Sequence, residues 1–283
     1  MRDYIELTKP RITWLILMSA GIGYFYGHGG EWNLAVLIHM LLGTGLLASG
    51  TAVLNQWMER EADARMHRTR QRPLPAGRVT PGRALAWGAA LSAAGFAELL
   101  LWVNPAAALL GLFTLLSYLF LYTPLKKVSP LSTTVGAIPG AMPPLIGYAA
   151  AQGSLGAEAW ILGAILFLWQ FPHFYSIAWM YRDDYARAGI RMKPVVEPDP
   201  VSTARHIVAT AALLVPVSLL PVAADMAGWI YAAGAAAMGG YLLHAGLRAA
   251  ARRTLPAARA VLIATVIYLP ALFGLMVIDR PGL

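Results

Sequence analysis

The sequence predicts an all-α membrane protein whose nine transmembrane helices form a single domain over residues 1–283. Composition, the spacing of apolar stretches and the placement of positive charges lead to this fold class. Hydrophobic residues make up 58% of the 283 residues and charged residues 13%, whereas a soluble domain carries about 25% charged residues. This composition excludes ordinary soluble globular proteins and disordered chains. The absence of cysteine excludes disulfides and cysteine nucleophiles.

Nine apolar stretches are long enough to cross a bilayer, which takes about 20 mostly apolar residues. The first stretch follows a charged N-terminus and is too long for the apolar core of a signal peptide, so we expect a helix of the mature protein. Asn104-Pro105 divides one close pair of stretches, and Asp225 with Gly228 divides another. The expected helices cover 11–28, 34–57, 84–103, 106–122, 131–151, 158–180, 205–224, 227–246 and 258–278.

Positive charges fall on one side of this arrangement. With a cytoplasmic N-terminus, the inside regions are the N-terminus and the loops after the second, fourth, sixth and eighth helices. Only Arg280 of the 22 Lys and Arg residues lies outside them. Cytoplasmic loops of membrane proteins collect Lys and Arg, which favours this orientation and explains the net charge of +8 without a nucleic-acid partner. The two long inside loops, about 58–83 and 181–204, are the expected place of a functional site.

Polar side chains form a ladder where the second helix meets the first long loop. Asn55, Glu59 and Asp63 are four residues apart, so on a helix they share an arc of about 80° over about 12 Å. Carboxylate and amide oxygens suit Mg²⁺, which proteins usually hold with one or two carboxylates plus substrate phosphates. The alternative is a solvated helix end with ordinary charge pairs.

Basic residues follow the ladder, and a second acidic pair stands in the other long loop. The guanidinium group of arginine can bind a phosphate through two parallel hydrogen bonds. The positive-inside pattern, however, also accounts for any single arginine in these loops. Two acidic clusters that face each other would hold two cations across one diphosphate and stabilise it as a leaving group. The residues concerned are Arg68 and Arg72 in the first loop and Arg182, Asp183, Asp184 and Lys193 in the second.

A few polar and aromatic side chains lie within the predicted helices. His173 stands beside Pro172, and a polar residue inside the membrane is a functional candidate by default, although a lone histidine is more often a hydrogen-bonded core residue. We interpret His39 and His244 as structural, and no role is predicted for Glu98. The remaining pair, Tyr118 and Tyr122, either lines a cavity or belongs to the interfacial aromatic belt.

At these residues the sequence resembles the UbiA superfamily of intramembrane prenyltransferases. The superfamily pattern is Asn-x3-Asp-x3-Asp followed by Arg-Thr-x-x-Arg-Pro. It matches Asn55, Glu59 and Asp63 followed by Arg68-Thr69 and Arg72-Pro73, with Glu in place of the middle Asp. Within the superfamily the chain is most similar to the branch that farnesylates haem. The similar segments are Trp169 to Phe174, Asp183 to Ile190, Met192 to Pro194, Tyr122 to Lys127 and Gly140 to Gly147.

The resemblance implies a UbiA-like bundle and a reaction that joins the farnesyl group of farnesyl diphosphate to a vinyl group of haem B, with water addition and diphosphate release, giving haem O. It implies Mg²⁺ held by Asn55, Glu59, Asp63, Asp183 and Asp184, and diphosphate held by Arg68, Arg72, Lys126, Arg182 and Lys193. His173 would contact haem, either by ligating the iron or through a propionate. Tyr118, Tyr122, Trp169 and Phe174 would line the pocket for haem and the prenyl chain. The expected setting is the lipid bilayer of a bacterial inner membrane with a cytoplasmic active site, and the expected partners are haem A synthase or terminal-oxidase assembly.

Three other functions remain open at this point. A superfamily member that prenylates a quinone precursor would carry the same ladder and differ in its acceptor. A transporter would place charged residues deep in several helices, whereas the charge clusters here lie mainly at one face. A haem-binding assembly protein without catalysis would have no need of the acidic ladder, and its haem binding would not respond to Mg²⁺.

Overall fold

The computed structural model describes residues 1–30, 32–197 and 199–282, and the secondary structure of these residues is helical without strands. The helices are α1 Arg2–Leu7, α2 Pro10–Gly27, α3 Leu34–Arg65, α4 Pro81–Trp102, α5 Pro105–Leu116, α6 Thr123–Leu125, α7 Ser132–Gly140, α8 Met142–Gln152, α9 Ala157–Met180, α10 Arg182–Arg187, α11 Lys193–Val196, α12 Val201–Val217, α13 Leu220–Ala223, α14 Trp229–Arg252 and α15 Leu255–Ile278. A π-helical segment, Ser117–Tyr122, joins α5 to α6.

Helical structure covers each of the nine apolar stretches that the sequence marks. Among the described residues, six helical segments are long and apolar enough to cross a membrane, which confirms an all-helical integral membrane protein. The six are Leu34–Arg65, Pro81–Trp102, Pro105–Leu125, Ala157–Met180, Val201–Ala223 and Leu255–Ile278. Two predicted helices are interrupted: the stretch 131–151 breaks at Ala141, and the stretch 205–224 breaks after Val217.

The largest difference from the sequence prediction is at the end of α3. The helix continues to Arg65, so the first eight residues of the predicted loop 58–83 are helical. This extension carries the polar ladder beyond the apolar part of the helix. Thr69 and the turns that follow then bring the chain back to α4, whose first residue is Pro81, a residue suited to the first turn of a helix.

The chain divides into two compact units: Met1–Ala159 with Asp184–Arg191, and Trp160–Asp183 with Met192–Leu283. In the first unit, small residues let α2 and α8 approach closely, as is common in membranes. A Cβ added to Gly23 would collide with the backbone of Pro144, and one added to Gly147 would collide with that of Ala20. These glycines therefore let α2 and α8 pack backbone to backbone.

In the second unit, α14 packs against both α12 and α15. Buried hydroxyls hold this packing together: the Tyr231 hydroxyl donates to the Ser218 carbonyl at 2.6 Å, and the Tyr268 hydroxyl lies 2.7 Å from Ser218 Oγ. At the far end of α15, the Asp279 carboxylate accepts from the Tyr231 amide at 2.7 Å. Hydrogen-bonding these polar groups to one another avoids the cost of burying them unpaired.

Candidate active site

The three residues of the polar ladder, Asn55, Glu59 and Asp63, all lie on the last turns of α3. Asn55 and Asp63 are 2% and 1% exposed, and Glu59 lies between them. The Asn55 amide donates to the Thr123 hydroxyl at 3.0 Å, and that hydroxyl donates to the Tyr118 carbonyl at 2.8 Å. Asn55 is thus connected through Thr123 to the π-helical segment, whose Tyr118 carbonyl also accepts a hydrogen bond from the Thr123 backbone amide.

Glu59 is paired with Lys126. The Lys126 ammonium lies 2.8 and 3.0 Å from the two Glu59 oxygens, and it stands over the Tyr122 ring at 4.4 Å from the ring centroid. Burial alone would lower the pKa of Lys126, but its neighbours Tyr122 and Glu59 outweigh burial and raise that pKa above the ordinary value. Lys126 thus pairs with Glu59 beside two aromatic rings, since the Tyr118 centroid is 6.0 Å away.

Asp63 is paired with Arg72 in the same way. One guanidinium nitrogen of Arg72 lies 2.9 and 2.8 Å from the two carboxylate oxygens of Asp63. The Thr69 hydroxyl donates to the Asp63 carbonyl at 2.8 Å and so folds the Arg-Thr segment back onto the end of α3. The two motif halves that the sequence places nine residues apart thus form one ion pair.

Asp184 connects the second acidic motif to the first loop. Its oxygens accept hydrogen bonds from the backbone amides of His67 at 3.1 Å and Arg68 at 3.2 Å, and it pairs with Arg187. Burial alone would raise the pKa of Asp184, but the two amide hydrogen bonds and the Arg187 charge lower it. The Arg68 guanidinium donates to the Tyr185 hydroxyl at 3.1 Å, which further ties Arg68 to this segment.

Lys9 is a functional candidate that the sequence analysis missed, because no motif marks it. It precedes Pro10 and has φ 50° and ψ 60°, the left-handed region that residues other than glycine seldom adopt. Burial lowers the pKa of Lys9 to about 8, and the charges of Arg72 and Lys126 act in the same direction. A lysine held in an unusual backbone conformation among other cations is a strong candidate for binding an anion.

An apolar cavity of about 150 Å³ begins at this charged cluster. Lys9 and Tyr118 belong to its lining, which then follows α3 from Ala52 to Thr44, a distance of about 12 Å. The opposite wall is made of α2, α5, α7 and α8, through residues such as Ile16, Gly111, Pro139, Pro143 and Ile146. A ligand with an anionic head and an apolar chain fits this combination of surfaces.

His173 lies in the second unit, where its hydrogen bonds define the tautomer. Its Nδ1 is 2.9 Å from the Thr265 hydroxyl, and that hydroxyl donates its single hydrogen to the Leu262 carbonyl at 2.7 Å. The hydroxyl can only accept from His173, so Nδ1 carries the proton and Nε2 keeps its lone pair. Trp169 stacks on the imidazole at 4.7 Å between centroids and donates to the Thr265 carbonyl at 2.8 Å.

The other predicted site residues of the second unit have varied surroundings. Phe174 contacts the His173 ring edge to face at 5.6 Å. Lys193 interacts with Glu197 at 3.8 Å and with His206 at 3.3 Å. Asp183 is exposed while its neighbour Asp184 is buried, and Arg182 is half-buried. The adjacent aspartates therefore have different environments, which the sequence alone does not distinguish.

Glu98, for which the sequence predicted no role, pairs with His39. Glu98 Oε1 lies 2.6 Å from His39 Nδ1, and Trp102 stacks on the His39 ring at 6.0 Å between centroids. The pair joins α3 to α4 within the membrane region, where each polar group needs a partner. The structural interpretation of His39 fits these contacts.

The ladder suits a magnesium ion that arrives with a phosphate. Among the described residues, no three His, Asp or Glu side chains are grouped as a ready-made metal centre. Mg²⁺, however, is usually bound through one or two carboxylates together with substrate phosphates. Glu59 and Asp63 lie one turn apart on α3, and each is paired with a cation for which a diphosphate can compete. The donor set therefore fits Mg²⁺ in that mode of binding.

The fold and this charged cluster above an apolar cavity define an integral membrane enzyme of the prenyltransferase type. The UbiA prenyltransferase family model matches residues 16–275, and the chain belongs to that family. A protoheme IX farnesyltransferase of Solibacter usitatus is 63% identical, with all of both chains covered. One from Koribacter versatilis is 49% identical over 99% of this chain and 94% of its own length.

Solved structures share the fold at low sequence identity. The structure of a digeranylgeranylglyceryl phosphate synthase in membranes superposes with a TM-score of 0.83 at 18% identity, covering 100% of this chain and 99% of that one. A UbiA homologue from Archaeoglobus fulgidus bound to DMAPP and Mg²⁺ gives 0.68 at 15% identity, covering 98% and 99%. These likenesses confirm the UbiA-like fold that the resemblance implied.

Proposed function

We propose that this protein transfers the farnesyl group of farnesyl diphosphate to a vinyl group of haem B and so produces haem O. The observation that carries the proposal is the pairing of Glu59 with Lys126 and of Asp63 with Arg72 beside an apolar cavity. Relatives up to 63% identical over the whole chain are named protoheme IX farnesyltransferase, which supports haem as the acceptor. Membership of the prenyltransferase family supports the transfer of a prenyl group, and the names of the relatives support haem as its acceptor.

The basic side chains bind the diphosphate. Lys9, Arg72 and Lys126 share one electrostatic environment, and Arg68 lies on the loop held by Asp184. With Lys126 and Arg72 drawn toward the oxygens of a diphosphate, Glu59 and Asp63 would hold Mg²⁺, and Asn55, Asp183 and Asp184 would be further ligands. Mg²⁺ would supply additional neutralisation of the leaving diphosphate.

The bond that breaks joins C1 of the farnesyl chain to the diphosphate oxygen, and both electrons leave with the diphosphate. The remaining allylic cation needs aromatic surfaces and little water. Tyr118 and Tyr122 stand beside Lys126 with their ring centroids 5.0 Å apart, and we infer that they line this part of the path. The vinyl group of haem then forms the new carbon–carbon bond, and the resulting cation adds water and releases a proton.

We infer that His173 contacts haem through Nε2. The Thr265 hydroxyl fixes the proton on Nδ1, and a histidine that ligates a metal commonly donates its other N–H in this way. Trp169 stacks on the imidazole and Phe174 contacts its edge, so the ring is held in one orientation. Ligation of the iron orients the porphyrin, and the residue takes no part in breaking the diphosphate bond.

We also propose a topology of nine transmembrane helices in one domain, with a cytoplasmic N-terminus and a cytoplasmic active site in a bacterial inner membrane. The one-sided distribution of Lys and Arg supports this orientation. Arg182 and Lys193 would then lie on the same membrane side as the ladder and assist diphosphate binding. An apolar product such as haem O would pass within the bilayer to haem A synthase or to terminal-oxidase assembly.

The test is an assay of the purified full-length protein in detergent with haem B and farnesyl diphosphate, in Mg²⁺ or in EDTA. We expect a Mg²⁺-dependent product whose mass equals haem B plus one farnesyl group and one hydroxyl group. Prenylation of a hydroxybenzoate in place of haem would overturn the acceptor and retain the ladder. Absence of turnover on both acceptors, in protein with intact helical circular dichroism, would overturn the proposed reaction.

A further inference from the structure

A second cavity, of about 160 Å³, lies between the last turns of α14 and the first turn of α15. Its lining belongs to the second unit and includes Tyr241, His244, Arg248, Arg252, Thr254 and Ala260. None of these residues has a part in the proposed reaction. The sequence favours a structural role for His244, and the structure places this residue on the wall of the cavity.

The cavity has an unusual concentration of unpaired positive charge. His244, Arg248 and Arg252 are four residues apart and therefore share one face of α14. In the part of the chain that the structure describes, no carboxylate pairs with Arg248 or Arg252. The neighbouring Arg253, which is outside the lining, does bind Asp199 at 2.7 Å. Two guanidinium groups without a carboxylate partner are suited to bidentate binding of a phosphate.

The surface next to these arginines is apolar and exposed. Tyr241, at the membrane-side end of the cavity, is 59% exposed. On α15, Ile263 and Ile267 follow Ala260 at helical spacing and are 48% and 59% exposed. A ligand whose phosphate meets the arginines would therefore have an apolar surface along both helices for long chains, which a free phosphate would leave uncovered.

We infer that this cavity binds the phosphodiester head group of an anionic phospholipid, with the acyl chains lying along Tyr241, Ile263 and Ile267. Basic pockets between transmembrane helices are known to take anionic lipid head groups. The Thr254 side chain does not cap α15, so its hydroxyl is available to a phosphate oxygen. A lipid held there would bridge α14 and α15 from the outside and stabilise their contact.

The test compares two pairs of arginine substitutions that remove equal charge. The full-length protein and the variants R248Q/R252Q and R253Q/R259Q are placed in detergent, and retention of palmitoyl-oleoyl phosphatidylglycerol is measured by native mass spectrometry against the phosphatidylcholine of the same chains. We expect wild type and R253Q/R259Q to retain phosphatidylglycerol preferentially. We expect R248Q/R252Q to bind it about thirtyfold more weakly, from the usual contribution of each Arg near a lipid surface.

Three outcomes would overturn the inference. Equal loss in both double variants would show general attraction to the positive end of the unit and no pocket. Equal retention of the two lipids by wild type would remove the selectivity. A competition experiment compares inorganic phosphate with the short-chain lipid dihexanoyl phosphatidylglycerol. If both displace phosphatidylglycerol at the same concentration, the cavity is a site for a free anion and not for a lipid. If a double variant loses its helical signal, R248Q against R259Q makes the same comparison at about fivefold.

Discussion

Replacing Lys126 with methionine separates the structural role of this lysine from its role in binding. Lys126 and Glu59 are each 13% exposed and lie 2.8 Å apart. Methionine keeps most of the volume and removes the charge, so Glu59 is left as a buried carboxylate without its partner. Breaking a buried pair from one side costs about 3–5 kcal/mol. At about 2 °C per kcal/mol for a protein of this size, the thermal midpoint falls by roughly 6–10 °C.

The double variant E59Q/K126M removes both charges and tests the explanation. Replacing both members of a buried ion pair with neutral groups is often close to neutral for stability, so most of the lost thermal midpoint should return. Activity should stay low, because the proposed diphosphate site would lose a cation and the proposed Mg²⁺ site would lose a ligand. Thermal unfolding in detergent followed by circular dichroism measures the first effect, and haem O formation with farnesyl diphosphate measures the second.

Two results would refute this reasoning. A K126M protein with an unchanged thermal midpoint would mean that the Glu59–Lys126 contact contributes nothing to the folded state. Full turnover by E59Q/K126M would mean that neither group acts on the diphosphate or its metal. The variant K127M is a matched control, because Lys127 is the next residue and is exposed, and it should leave both measurements close to wild type.

Other variants test the remaining roles. Asp63→Ala should lower turnover about 10²–10³-fold, the usual cost of removing an electrostatic contact, and normal turnover in folded protein would contradict the metal assignment. Glu59→Asp should retain more activity than Glu59→Gln because it keeps the charge, and equal rates would argue against this. Thr265→Val should weaken haem binding about tenfold or more and change the haem spectrum, whereas Thr265→Ser should bind as wild type. Equal haem titrations for the two Thr265 variants, or an unchanged titration for His173→Ala, would contradict the role of Nε2.

The apolar stretches and the acidic ladder could be predicted because both depend on residues close together in sequence. A helix long enough to cross a membrane appears in composition, and residues at intervals of four share a helix face whatever the rest of the fold does. The extension of α3 to Arg65 was harder to predict, since residues 58–65 are polar enough to read as a loop. Contacts of Asp63 with Thr69 and Arg72 help to keep that polar end in place.

The partners of the site residues could not be predicted in the same way. Glu59 and Lys126 are 67 residues apart, and His173 and Thr265 are 92 apart, so only the packing of distant helices brings them together. In the sequence, Lys9 is one of several positive charges near the N-terminus. No motif indicates its backbone conformation or its burial. The cavity beside His244 could not be predicted either, because a position within an apolar stretch does not say which side of the helix faces a cavity.

The middle position of the ladder shows how the structure accommodates a departure from the family pattern. Glu59 stands where the superfamily pattern has Asp, and its side chain is longer by one carbon–carbon bond, about 1.5 Å. Glu59 reaches Lys126 at 2.8 Å, so an aspartate on the same backbone would leave this contact beyond hydrogen-bonding distance. The longer side chain therefore lets α3 keep its cation partner near Tyr118 and Tyr122, next to the cavity. Glu59 thus retains the charge that the pattern requires at this position while meeting a lysine that the shorter residue would not reach.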